Sequence, residues 1–172
     1  MQAEKKQRTW ALPVVGFLLL LVVLCGLYTG SVLLPDAVTD PVQLQAFLEQ
    51  TLGDESVTVQ ATAESGSLFA ACWQTDSEQG LLLLERSDGL LSGGWRILDQ
   101  QVSEQETLHI YQNSLNGVLS ITALYGENLS GASACSMNGT GETRTLEADA
   151  FVLELFVQTG NAEDSDALMI IY

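Results

Sequence analysis

Histidine, cysteine and positive charge are all scarce in this chain, and each scarcity removes a class of chemistry. There is one histidine, His109, and there are three cysteines, Cys25, Cys72 and Cys135, with no pair at metal-ligand spacing. A zinc site needs three or four such donors close together, so no metal centre is predicted. A Ser-His-Asp or Cys-His group would have to use His109, and the sequence holds no G-x-S-x-G nucleophile turn. No catalytic residue and no cofactor are expected.

Six Lys and Arg stand against 22 Asp and Glu, for a net charge of −16. Residues 1–8 hold three of the basic groups and one acid, whereas residues 9–172 hold 21 acids and three arginines, a net −18. Such a body is repelled by nucleic acid and by anionic head groups, so neither is expected as a partner unless a cation intervenes. Solubility alone accounts for much of this charge. Basic proteins and divalent cations are the partners it leaves open. The acids of Asn161–Asp166 would attract a cation only weakly, because they lack the D-x-D-x-D-G run and closing Glu of an EF-hand loop.

Charge is wholly missing from Trp10 to Tyr28, WALPVVGFLLLLVVLCGLY. A helix needs ~20 mostly apolar residues to cross a hydrocarbon layer. Residues 10–30 are therefore predicted to form a transmembrane anchor embedded in a lipid bilayer. Lys5, Lys6 and Arg8 lie before it and the first acid of the body, Asp36, lies after it. That asymmetry places residues 1–9 in the cytoplasm and the remainder outside, as a single-pass plasma-membrane protein. A cleaved signal peptide is the alternative, with Thr29-Gly30-Ser31 as its cutting site, though its apolar core would ordinarily span only about 7–15 residues. Leu24 is too bulky for the residue cut before a lipid-bearing cysteine, so Cys25 reads as an apolar residue of the run.

Residues 31–39 contain Pro35 and no periodicity, the pattern of a short linker. A helix follows. Asp40 suits the N-cap, Pro41 the first helical position, Gln43 a capping box, and Gly53 the left-handed stop. Leu44, Phe47, Leu48 and Leu52 recur at helical spacing and form its apolar face.

From residue 57 onward the pattern is β. Val57 to Glu64 alternates with period two; Ser67–Thr75, Leu81–Arg86, Trp95–Val102 and Thr107–Leu115 follow as strands. Asn116-Gly117 favours a two-residue hairpin into Val118–Tyr125. In that register Leu108 faces Tyr125, Ile110 faces Ala123, and His109 lies on the opposite, outer face. Ala132–Met137, Glu142–Leu146, Phe151–Gln158 and Ala167–Tyr172 complete the set. The predicted fold is α+β, one short helix packed on an antiparallel β-meander behind the membrane anchor, with residues 40–172 as a single extracytoplasmic domain. An all-β sandwich with a peripheral helix is the alternative.

Cys72 and Cys135 form an even pair in an exported domain. A disulfide between them would close a loop of about 60 residues and stabilise by roughly 4 kcal/mol, while two buried free thiols are the other state open to them. Asn128-Leu129-Ser130 and Asn138-Gly139-Thr140 match the glycosylation acceptor pattern.

The segments GLLLLERSDG, ALYGEN and LEADAFVLELFV give this layout a form that resembles the uncharacterised, single-pass cell-surface proteins of Gram-positive gut bacteria. The resemblance implies a small extracytoplasmic domain held at a membrane and carries no catalytic residue with it. The expected function is a non-enzymatic binding, sensing or scaffolding module with an unidentified protein partner. The alternative is an exported hydrolase whose acids are brought together only by folding.

Overall fold

The computed structural model describes residues 15–24, 33–88, 93–105, 107–115, 118–138, 141–159 and 167–172. Strand accounts for 56% of the described residues, in ten strands that form three antiparallel sheets. The fold is therefore mostly β, and the α+β expectation is corrected. The first sheet has the order β1-β2-β3-β4 (Thr58–Ser65, Leu68–Gln74, Glu78–Asp88, Gly93–Glu104). The second has the order β5-β6-β9 (His109–Leu115, Leu119–Glu127, Phe151–Thr159), and the third β10-β7-β8 (Leu168–Ile171, Ala134–Met137, Glu142–Thr145). Only the first sheet is a plain meander. The chain leaves the second sheet after β6, builds β7 and β8 in the third, and returns to pair β9 with β6.

The predicted transmembrane helix is corrected as well. The described helix α1 covers residues 15–24, about 15 Å at 1.5 Å per residue, half of a hydrocarbon layer. Among the described residues no helix is long and apolar enough to cross a membrane. Residues 10–14 and 25–30 of the predicted span lie outside the described residues.

Helix α2 (Pro41–Leu52) begins and ends as its sequence dictates. Asp40 accepts a hydrogen bond from the Val42 N–H at 3.1 Å, Pro41 occupies the first turn, and Gly53 stops the helix at φ 68°. The Asp40 N–H donates to the Ala37 carbonyl, so Gln43 takes no part in a capping box. Leu44 and Leu48 are fully buried against Phe69, Trp73, Leu82 and Leu84 of the first sheet.

The opposite face of that sheet meets the second sheet. Leu68, Cys72, Leu81 and Leu83 pack there with Ile121, Ala123 and Leu155. The far face of the second sheet meets the third, through Leu124, Val152 and Phe156 against Cys135, Met137 and Leu168. Among the described residues from Leu34 onward there are thus four layers, α2 and three sheets, with three apolar seams between them. Strands covered on both faces have no polar side to show, which is why SLFAACW and GLLLL read as unbroken apolar runs.

From Leu34 to Thr39 the predicted linker is part of this body. Leu34 pairs with Trp95 at the start of β4, its N–H donating to the Trp95 carbonyl at 2.7 Å and its own carbonyl accepting from Trp95 at 2.9 Å. A 3₁₀ turn, Asp36–Thr39, then carries Val38 into the seam beneath α2. A β-carbon on Gly94 would stand 2.6 Å from the Leu34 oxygen, so glycine is what lets the two backbones meet.

The β5–β6 hairpin departs from expectation by one residue. Leu115 pairs with Leu119, not Val118, and His109 pairs with Tyr125. The Val118 N–H donates to the Leu115 carbonyl at 3.0 Å, which gives a three-residue loop. A slip of one residue reverses the two faces of a strand. His109 and Tyr111 therefore face the first sheet, and Ile110, opposite Leu124, is the exposed residue.

Candidate functional site

Two polar clusters and one groove account for the chemistry the described residues offer. The first cluster gathers where β4 turns into β5. The Gln79 side chain, almost wholly buried, donates to the carbonyls of Thr107 (2.8 Å) and Glu104 (3.2 Å). Gly126 makes room for it: at φ +120° it leaves open a space where a β-carbon would lie 2.6 Å from the Thr107 oxygen and 3.1 Å from the Gln79 amide. His109 stacks on Tyr125 with centroids 5.6 Å apart, and its Nε2 lies 3.2 Å from the Glu104 carbonyl and 3.3 Å from Thr107 Oγ1.

Ser103 Oγ meets the Tyr125 hydroxyl at 3.4 Å and donates to the Gln79 carbonyl at 3.3 Å. The one histidine thus faces backbone and a threonine, while the nearby serine is engaged by a tyrosine. Burial raises the Tyr125 hydroxyl above its usual value, partly offset by its bond to Ser103. This arrangement fastens a corner between sheets; it does not assemble a nucleophile with its base.

The second cluster rests on a β-bulge. Leu83 pairs with Asp99 and Leu84 with Ile97, so Leu98 is the extra residue. The bulge turns Asp99 towards β5, where the Tyr111 hydroxyl donates to Asp99 Oδ2 at 2.8 Å and the Asn113 amide donates to the Tyr111 oxygen at 2.8 Å. Gln101 Nε2 at 3.1 Å and the Gln100 N–H at 2.8 Å also donate to the carboxylate. Burial pushes the Tyr111 hydroxyl up to about 12, with the neighbouring Asp99 charge adding to it.

The groove, about 310 Å³, lies where an outer strand of each sheet comes to the same flank. Ala61 of β1, Thr145 of β8, and Phe151 and Leu153 of β9 line it, with Glu147 and Glu154 supplying carboxylates. A register shift between Val59 and Ala61 marks a bulge in β1 at this point. Glu154 is held from the side by Arg144 at 2.6 Å, which also pairs with Glu142 and lies 4.5 Å over the Phe156 ring. Partial burial works against the Arg144 charge, yet its bonds to Glu154 and Glu142 outweigh this and hold its pKa above the ordinary value. A second hollow, about 430 Å³, follows the outward face of α2 at Val42, Gln45 and Glu49. Its described lining comes from α2.

Cys72 and Cys135 are free and buried, on opposite sides of the second sheet. Burial pushes the Cys72 thiol up to about 12 and the Cys135 thiol up to about 11, the charge of Glu154 adding to the second. Neither is a thiolate at neutral pH, so neither is primed as a nucleophile.

Asn128 is fully buried, its amide donating to the carbonyls of Ala132 (2.8 Å) and Glu147 (2.9 Å) and its oxygen accepting from the Ala132 N–H (2.9 Å). An asparagine so engaged holds two loops together and is closed to glycosylation, whereas Asn138 is exposed. The acidic segment 161–166 lies outside the described residues, among which no group of His, Cys, Asp and Glu is placed to hold a metal ion.

Sequence reading missed Asp99, Tyr111, Gln79 and the groove. An Asp in the run Leu98-Asp99-Gln100-Gln101 carries no sign that a bulge will turn it inward. No family model, no curated protein and no solved structure matches the chain.

Proposed function

We propose that this chain is a non-enzymatic binding module held at the outer surface of a membrane, where the flank groove takes an extended, basic segment of a partner protein. The observation that carries this reading is the meeting of β1, β9 and β8 at one open groove with Glu147 and Glu154 in its lining. Outer strands offer unpaired backbone groups to an extended chain, and a body at −18 draws basic partners towards it. The uncharged run of residues 10–30 and the charge asymmetry around it support lipid association and an exterior body. The resemblance to cell-surface proteins of Gram-positive gut bacteria points the same way.

The full chain in phosphatidylcholine vesicles, titrated with labelled basic peptides of alternating apolar pattern, tests the reading by fluorescence anisotropy. Saturable binding is expected, lost when Ala61→Trp fills the groove and reduced when Glu147→Gln removes a charge. Indifference of binding to both substitutions would remove the groove from the function. Cleavage of the peptide that disappears in Glu147→Gln would instead support an exported hydrolase.

A further inference from the structure

The path of the chain into the body fixes more than attachment. Leu34 is bridged to Trp95 by two backbone hydrogen bonds of 2.7 and 2.9 Å, and Val38 is 3% exposed. Asp36 lies 3.9 Å from Arg86 across the same end of the first sheet. From Leu34 onward the chain is therefore built into the body rather than hung from it. Four residues, Thr29 to Val32, separate Leu33 from the apolar run Trp10 to Tyr28, and four residues reach at most ~14 Å.

We propose that the end of the first sheet carrying Ser67, Arg86 and Trp95 lies against the lipid headgroup layer in one fixed orientation. This rests on the reading that residues 10–30 associate with lipid. The length of chain available favours it, because a tether of ~14 Å is shorter than the ~25–30 Å between the two ends of the sheet, so the far end cannot take this place without unzipping Leu34 from Trp95. Ser67 belongs to this end, since its carbonyl accepts from the Arg86 N–H at 2.7 Å. Two of the body's three arginines, Arg86 and Arg96, also stand here, facing Asp36 and Glu85. Their charges offset those of Asp36 and Glu85 at this end. The opposite end, the β2–β3 turn at Ser77, is a strand length away, about 25–30 Å. The surface so chosen leaves the flank groove open to a partner arriving alongside the membrane.

The test uses the full chain with Cys25→Ala, reconstituted in phosphatidylcholine vesicles doped with headgroup-nitroxide lipid. A fluorophore is placed at Ser67→Cys or at Ser77→Cys, Cys72 and Cys135 being buried. Quenching several-fold stronger at 67 than at 77 is expected. Gly94→Ala, which drives a methyl group into the Leu34 carbonyl, should erase that difference while the chain still floats with the vesicles. A Gly-Ser insertion between Val32 and Leu33, which leaves the body untouched, should erase it too. Equal quenching at the two positions, or a difference that survives the insertion, would overturn the orientation. A chain that does not float with vesicles defeats the lipid reading itself, and the orientation falls with it.

Discussion

Tyr111 of β5 donates its hydroxyl to the carboxylate of Asp99 of β4 at 2.8 Å, and so joins the first sheet to the second. The two residues lie on different sheets, on strands that do not pair with each other. Hydrogen bonds to a charged group are worth about 1.5–3 kcal/mol. Tyr111→Phe is expected to cost that much in urea unfolding. A double-mutant cycle with Asp99→Ala should give a coupling of about 1–3 kcal/mol, and additive losses would show that the bond holds nothing together.

Asn128 makes three close bonds from a fully buried position. Asn128→Ala leaves the carbonyls of Ala132 and Glu147 and the Ala132 N–H without that partner, at a cost of about 2–4 kcal/mol. Expression in a host that glycosylates exported chains should yield glycan at Asn138 and none at Asn128. Mass spectrometry of the peptides checks this directly.

Gly126→Ala meets two obstacles together, a φ of +120° and the Thr107 oxygen 2.6 Å from the new carbon. The expected loss is about 1–3 kcal/mol. It should be accompanied by faster hydrogen exchange at the β4–β5 corner that Gln79 fastens. Unchanged exchange there would separate Gly126 from that corner.

Alkaline pH should destabilise the fold, and the sign follows from the thiols. Cys72 is raised by burial from 9.0 to about 12 and Cys135 to about 11. Above pH 9 the unfolded chain loses these protons while the folded one keeps them. Stability is therefore complete below pH 9 and falls as pH rises towards 11–12, by at most ~1.4 kcal/mol per pH unit for each thiol. Denaturant midpoints measured from pH 8 to 11 should decline, and the decline should be shallower in Cys72→Ala.

What the sequence made legible was local. The start of α2 at Asp40-Pro41 and its end at Gly53 follow from capping chemistry that needs no tertiary partner. Strand positions were legible for the same reason, since β-branched and aromatic runs between turn residues declare themselves. The layering was not, because an apolar run such as Leu81–Leu84 says that both faces are covered and nothing about what covers them. The β5–β6 register hung on one residue: whether Val118 closes the turn or opens the strand is decided by a backbone bond to Leu115.

The site was less legible still. Asp99 acquires its role from a bulge at Leu98, and the groove from β1 meeting the β8–β9 segment far along the chain. Pro35 read as a mark of a short connector; that its neighbours Leu34 and Val38 dock, because Gly94 and the seam under α2 receive them, was not legible.

The body's arginines carry a practical consequence. Arg86, Arg96 and Arg144 all lie within paired strands, opposite Trp95, Glu85 and Cys135 respectively, and no lysine follows Lys6. Trypsin cuts only after those two residue types and must first draw its target into an extended loop. While the ladders hold, the enzyme has nowhere to bite beyond Arg8, so the onset of digestion becomes a clock for unfolding.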